Sequence, residues 1–188
     1  LLRTVTDVVV EQGQLDIRLV STESAPVLAG LVVRQRRSSK ADWELVWADE
    51  FNYRGKPDPT KWNIEKWVPG HVNREAQAYT GHERNLRVQD GRLILEAHLE
   101  SDAGYSSARI HSLGKGDFLY GRVDFRARLP RGQGTWAALW MLPSDPYRYA
   151  TACDRGEDWH GNPHCDAWPN SGEIDIMEYV GYDPGQVH

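Results

Sequence analysis

The sequence predicts an all-β fold, a sandwich of two antiparallel sheets, and three observations support it. Short runs rich in Val, Leu, Ile and aromatic residues recur along the chain, separated by Gly, Pro, Asn and Asp. Asp90-Gly91 lies between two apolar runs and indicates a hairpin, because its turn needs positive φ. Residues 120–129 alternate between apolar and charged side chains until Pro130 ends the strand. No segment has a convincing helical period.

A change in composition near residue 40 divides the chain. Residues 1–42 contain no aromatic residue and no His, and all eight Trp, eight Tyr and three Phe come later. The early apolar runs predict three short strands, which make a poor domain alone. We therefore assign residues 1–37 to the C-terminal fragment of a preceding β-sandwich, residues 38–42 to a linker and residues 43–188 to a second domain.

Composition and charge exclude several classes of function. The formal net charge of −5 disfavours nucleic acid as a partner, and no apolar run has the length of a membrane-spanning helix. The balance of many Trp and Tyr against few Phe fits either a core or a wet cleft that stacks on sugar rings. The start of the chain lacks the basic-then-apolar pattern of a signal peptide, so localisation must be inferred from the substrate.

Three carboxylates lie close together on one predicted strand, at Glu173, Asp175 and Glu178. The period of a strand places Glu173 and Asp175 on one face, whereas Glu178 would point to the opposite face. One extra residue at Ile176-Met177, a β-bulge, would return Glu178 to the face of Glu173. Like charges at such positions repel, so we favour a catalytic role over ordinary solubilising charges.

The reaction that uses such a group of acids is glycoside hydrolysis. Retention of anomeric configuration needs two carboxyl groups about 5 to 5.5 Å apart, one ionised to attack carbon and one protonated to assist the leaving oxygen. A third acid, Asp175, would lie between Glu173 and Glu178 and orient both of them.

Residues 168–181 resemble the signature of glycoside hydrolase family 16, laminarinase type. The similarity runs from about Trp43 to His188, and several further motifs follow in the expected order. These motifs are residues 46–51, 73–80, 107–110, 120–122 and 134–143.

The resemblance implies a fold, a reaction and a set of roles. The fold is a β-jelly-roll whose concave sheet forms an open cleft, so cleavage would be internal to the polymer. Glu173 would be the nucleophile, Glu178 the general acid/base and Asp175 the assisting acid. The implied function is retaining endo-hydrolysis of β-1,3 bonds in laminarin-like β-glucans. Relatives continue beyond residue 188 with further strands, so we expect this domain to be truncated at its C-terminus.

The resemblance also implies residues that bind the substrate. Asn73 and Arg109 would hydrogen-bond sugar hydroxyls, and Trp136 and Trp140 would stack on glucosyl rings. Each position has a plain structural alternative, since Arg109 could serve an ion pair and either Trp could be part of the core.

A structural calcium is a further implication, and the reaction itself needs no cofactor. Many relatives hold calcium largely through main-chain oxygens, which here would be the carbonyls of Glu50 and Gly91. A third ligand would come from an Asp beyond the end of this chain.

The two cysteines, Cys153 and Cys165, flank a polar loop that also contains His160 and His164. A disulfide that closes the loop, two free thiols and a zinc site are the three alternatives. The spacing does not decide between them.

The sequence leaves other functions open. The substrate could instead be mixed-linkage glucan, agar or carrageenan, or the chain could be a non-catalytic β-glucan-recognition protein. Both catalytic glutamates are present, which disfavours the last alternative.

We expect a secreted or cell-surface protein whose partner is β-glucan, with a monomeric catalytic domain in a multidomain chain. Residues 1–37 are weakly similar to the end of a malectin-like carbohydrate-binding module.

Overall fold

The computed structural model describes residues 2–10, 14–19, 27–36, 43–101, 104–144 and 171–188. All regular elements in these segments are strands, which confirms the predicted all-β class. The strands are β1 (Leu2–Val10), β2 (Gln14–Leu19), β3 (Val27–Arg36), β4 (Trp43–Asp49), β5 (Asn63–Ile64), β6 (Gln77–Tyr79), β7 (Leu86–Gln89), β8 (Arg92–Leu95), β9 (His98–Leu99), β10 (Tyr105–His111), β11 (Gly121–Arg128), β12 (Trp136–Leu142) and β13 (Ile174–Val180). Within the described segments, no helix could cross a membrane.

The strands form two sheets. The first has the order β1-β11-β3-β8-β7, with β4 also paired to β3. The second has the order β13-β12-β2-β10-β5, and β6 and β9 also pair with β10. Of the pairs described, β6 with β10 is parallel and the rest are antiparallel. The hairpin predicted at Asp90-Gly91 is confirmed, since it joins β7 to β8 with φ of 53° and 69°.

The hydrophobic core lies between the two sheets. The inward-facing residues of each strand alternate with outward-facing ones, as β11 shows, so each sheet has one apolar face to bury. The core cluster consists of Phe51, Trp62, Leu86, Val88, Leu93, Leu95, Ala108, Ile110, Val123, Phe125, Ala127, Ala137, Leu139, Met141 and Met177. Members from both sheets contact each other in this cluster, so the outer face of the second sheet is not part of the core.

The first three strands pair with strands that follow residue 43. β1 and β3 flank β11 in the first sheet, and β2 lies between β10 and β12 in the second. Short apolar strands need partners to be stable, and here the two sheets provide them. The assignment of residues 1–37 to a preceding β-sandwich and of residues 43–188 to the catalytic domain stays a prediction. The proposed linker at 38–42 lies outside the described residues.

A buried carboxylate organises the loop that follows β4. Asp49 is 2% exposed. It accepts hydrogen bonds from the Phe51 amide at 3.0 Å, the Tyr53 hydroxyl at 2.9 Å and the Trp62 indole at 2.8 Å. Lys61 lies 3.7 Å away and supplies the opposite charge. Burial raises the pKa of the Tyr53 phenol above its ordinary value, and the bond to Asp49 acts in the same direction. The phenol therefore stays a donor.

We predict that Asp49→Ala lowers the free energy of unfolding by about 3 kcal/mol or more, because it leaves two buried donors and one partly buried donor without an acceptor. The matched control is Asp58→Ala, whose carboxylate bonds Thr60 at an exposed position. This control should leave the free energy of unfolding much closer to the wild-type value, because water can replace its exposed bonds. Urea denaturation of the two variants checks the difference, and equal losses would contradict the role of Asp49.

Candidate active site

The pairing of β12 with β13 contains the predicted bulge. Ala138 lies opposite Glu178 and Leu139 opposite Met177, but the next residue, Trp140, lies opposite Asp175. Residue 176 is therefore the extra residue of β13, within the predicted Ile176-Met177 position. The prediction of a bulge that re-aims Glu178 is confirmed.

The bulge separates the apolar and acidic side chains of β13. Met177 is 2% exposed and belongs to the core, and Ile174 and Ile176 pack against that core. Asp175 is exposed and Glu178 is partly exposed. They lie opposite Trp140 and Ala138 of β12, and the residues on either side of those two in β12 face the core. Both acids therefore lie on the outer face of the second sheet.

Glu173 immediately precedes β13, and its side chain is exposed. The preceding Gly172 has φ of 94°, a left-handed conformation that favours glycine and turns the chain into the strand. The three acids predicted from the sequence thus lie along one short stretch of backbone. Glu173 comes just before β13, and Asp175 and Glu178 are within it.

The backbone and the side chain of Glu178 are both held. Its amide donates to the carbonyl of His188 at 2.8 Å, and its carbonyl accepts from the His188 amide at 2.8 Å. The indole nitrogen of Trp136 donates to Glu178 Oε1 at 2.8 Å. Trp136 is 44% exposed, so it retains an accessible ring face beside the acid.

The ends of β12 and β13 meet at a close contact of backbone. A Cβ on Gly181 would overlap the carbonyl oxygen of Gly132 and the hydroxyl of Thr135, so only glycine fits. The Gly181 amide donates to the Thr135 carbonyl at 2.8 Å, and the Thr135 hydroxyl donates to the Gly132 carbonyl at 2.8 Å. This contact fixes the strand ends that carry Trp136 and Glu178.

Arg109 lies between two tryptophan rings. Its guanidinium carbon is 4.8 Å from the centre of the Trp140 ring and 4.6 Å from the centre of the Trp67 ring. Arg109 is 8% exposed, and a cation held between two aromatic faces away from water gains more than an exposed one. The structure therefore brings together Arg109 and Trp140, two of the predicted binding residues.

Sequence reasoning missed Trp67. Its ring also contacts His71 at 4.5 Å and Tyr79 at 6.0 Å between centroids. The backbone of Trp67 pairs with that of Tyr79, which bends this segment back over the sheet. The available sequence signal was weak, because Trp67 stands in an irregular polar stretch with no period that points toward Arg109.

A histidine and a glutamate form a second unpredicted pair beside Arg109. His111 Nε2 lies 2.8 Å from Glu65 Oε1, and His111 Nδ1 accepts from the Leu113 amide at 3.3 Å. This arrangement fits the imidazole with its proton on Nε2. The hydrogen bond from His111 lowers the pKa of the Glu65 carboxyl, with Arg109 contributing a weaker effect in the same direction. Glu65 is thus an anion beside the buried guanidinium.

The remaining predicted residues lie elsewhere. Asn73 is exposed with φ of 50°, in the turn that precedes Glu75, whose carboxylate accepts a hydrogen bond from the Tyr79 hydroxyl at 2.6 Å. The roles of the predicted substrate-binding residues stay predictions. Cys153 and Cys165 lie outside the described residues.

The calcium prediction also stays a prediction. Glu50 and Gly91 are both exposed. Within the described segments, no group of three His, Cys, Asp or Glu side chains could hold a metal. Two carbonyls supply a minority of the roughly six to eight oxygens that calcium takes.

Comparison with known proteins identifies the family. The family model described as glycosyl hydrolases family 16 matches residues 72–188, which include all three acids. The chain belongs to this family. It is 48% identical over 156 residues to a beta-glucanase of Rhodothermus marinus, covering 81% of this chain and 49% of that protein. It is also 37% identical over 187 residues to glucan endo-1,3-beta-glucosidase A1 of Niallia circulans, covering 89% of this chain and 23% of that protein.

The fold of this family 16 member matches solved structures. The laminarinase of Rhodothermus marinus superimposes with a TM-score of 0.61 and 44% identity, covering 76% of this chain and 52% of that one. The jelly-roll class is thereby confirmed. The chain spans about half the length, or less, of the curated relatives it matches.

The pair of Glu65 and His111 predicts a pH dependence of stability. The pKa of folded Glu65 lies below its ordinary value of 4.5, so the anion stabilises the fold above that pH and the contribution is lost as pH falls through the folded pKa. We expect Glu65→Gln to be less stable than the wild type by about 1 to 2 kcal/mol near pH 6, with the difference shrinking toward about pH 3.

Urea denaturation at several pH values measures this difference. Glu83→Gln, at an exposed position, is the matched control and should be as stable as the wild type throughout. A gap between Glu65→Gln and the wild type that widens on acidification would contradict the assigned hydrogen bond.

Proposed function

We propose that this protein is a retaining endo-hydrolase of β-1,3-glucan. The observation that carries the proposal is the bulge in β13, which places Asp175 and Glu178 on the outer face of one sheet directly after Glu173. Membership of family 16 and similarity to glucan-cleaving relatives support the same reaction. The roles of the acids below are those of a double displacement.

In the first step, Glu173 is the nucleophile and Glu178 the acid. A carboxylate oxygen of Glu173 attacks the anomeric carbon while the glycosidic bond breaks. The electron pair of that bond goes to the leaving oxygen, which takes the proton from Glu178. The result is a glycosyl ester on Glu173 and an ionised Glu178.

In the second step, water replaces the leaving sugar. Glu178 now acts as base and takes a proton from water, whose oxygen attacks the anomeric carbon as the ester bond to Glu173 breaks. Two inversions give net retention. Asp175, between the two glutamates in sequence and exposed on the same face, would orient them through hydrogen bonds.

The rest of the sheet provides a surface for the sugar chain. Trp136 and Trp140 lie on the outer face of β12, and Arg109 continues that face on β10 beyond β2. Flat aromatic faces beside buried polar groups suit pyranose rings, which have apolar faces and polar edges. A polymer lying across β10, β2 and β12 would reach the acids on β13.

Further properties follow from the substrate. Such polymers cannot enter cells, so the protein would act as a secreted or cell-surface enzyme. We also propose a monomeric catalytic domain within a longer multidomain chain, and a structural calcium held by the carbonyls of Glu50 and Gly91. Mixed-linkage glucan is the second candidate substrate.

A panel of polysaccharides tests the function. The full-length protein should release short oligosaccharides from laminarin faster than from lichenan, and none from agarose, when product sizes are followed over time. Early products of mixed length are expected for internal cleavage. No new reducing ends from either β-glucan would overturn the proposal, and release of glucose alone would exclude the endo mode.

Azide tests the two glutamates separately. Glu173→Ala should lose turnover, and azide should restore part of it by attacking from the vacated side to give an α-glycosyl azide. Glu178→Ala should lose about 10²- to 10⁴-fold on laminarin but less on an aryl glycoside with a good leaving group.

The second variant is the control for the first. With the activated substrate, azide should convert Glu178→Ala into a source of β-glycosyl azide, the opposite anomer. NMR of the anomeric proton separates the two products. The same anomer from both variants, or none from either while circular dichroism shows a folded chain, would remove these residues from their assigned roles.

A further inference from the structure

We propose that Trp136 is a positioning residue for Glu178, which fixes the oxygen from which the proton is delivered. This inference rests on the proposed function, since it concerns the acid/base of that reaction. The sequence predicted Trp136 only as a stacking platform, and the hydrogen bond from its indole to Glu178 Oε1 at 2.8 Å indicates a second role.

The position of Trp136 on the sheet makes this contact specific. Ala138 lies directly opposite Glu178, and Trp136 is two residues earlier on the same face of β12. It is therefore the diagonal neighbour, at a distance that an aromatic side chain can span. The small side chain of Ala138 leaves the path between them open. The backbone of Glu178 is fixed by β12 and by His188, so the side-chain torsions are the freedom that remains.

The chemistry of the indole determines what the contact does. An indole N–H can donate a hydrogen bond but cannot accept one, at any pH in which the protein is folded. Oε1 of Glu178 is therefore the acceptor in both protonation states. The carbonyl oxygen of a protonated carboxyl group is a better acceptor than its hydroxyl oxygen, so the bond from Trp136 favours the proton on Oε2.

The bond persists through both steps of the reaction. When Oε2 gives its proton to the leaving oxygen, the carboxylate becomes an anion and its bond to Trp136 becomes charge-assisted. When Oε2 later takes a proton from water, Oε1 again remains with the indole. Proton transfer thus uses one oxygen throughout, and no rotation of the carboxyl group is needed between steps.

The test removes the N–H and keeps a flat ring. Trp136→Phe is compared with the wild type on laminarin and on laminari-oligosaccharide aryl glycosides whose leaving phenols differ in acidity. The value of kcat/KM reports the first chemical step. We expect a loss of about 10-fold or more on laminarin and the poorest phenols, which need the proton, and less than about threefold for 2,4-dinitrophenol, which does not.

Trp140→Phe is the matched control. The same ring change is made four residues further along β12. There the side chain lies over Arg109, and its indole nitrogen has no hydrogen-bond partner among the described residues. Any loss in this variant should be the same factor for every leaving group. Circular dichroism and thermal unfolding establish that both variants fold.

Each outcome decides a different question. If Trp136→Phe loses the same factor for all phenols, Trp136 only stacks on sugar and the inference is wrong. If Glu178→Gln itself shows no dependence on the leaving group, the proposed role of Glu178 is wrong instead. If Trp136→Phe loses activity in proportion to leaving-group demand while Trp140→Phe does not, the inference stands.

Discussion

The site depends on one irregularity in the pairing of two strands. Without the bulge, a strand of strict period two that continued from Ile174 and Ile176 would point Glu178 into the core and Met177 outward. With it, Met177 is in the core and Glu178 lies outside, opposite Ala138. The same few residues of β13 therefore supply an apolar side chain to the core and an acid to the proposed reaction. Stability and the proposed activity are coupled here through the backbone.

Local patterns in the sequence predicted the parts that depend on neighbouring residues. The hairpin at Asp90-Gly91 follows from turn chemistry, and the bulge follows from the conflict between strand period and the spacing of Asp175 and Glu178. Both features are set within a few residues, so one sequence is enough to infer them.

Contacts between distant strands were not predictable in the same way. Trp67 reaches Arg109 only after a loop folds over the sheet, and the indole of Trp136 reaches Glu178 only once two strands are in register. The first three strands, β1, β2 and β3, likewise join the two sheets according to which strand edges are available for pairing. The change in composition near residue 40 carries no information about those edges. Long-range pairing is a property of the whole sandwich.

The backbone contact between Gly181 and Gly132 has a consequence for the alignment of β12 against β13. If either strand slipped by one position, Val180 or Tyr182 would arrive where there is no room even for a methyl group. The wrong alignment is thus excluded by steric overlap beside Trp136 and Val180, where the paired strands end, before the acids play any part. A missing side chain just beyond Val180, the last residue of β13, therefore protects the placement of Glu178 at the same end of that strand.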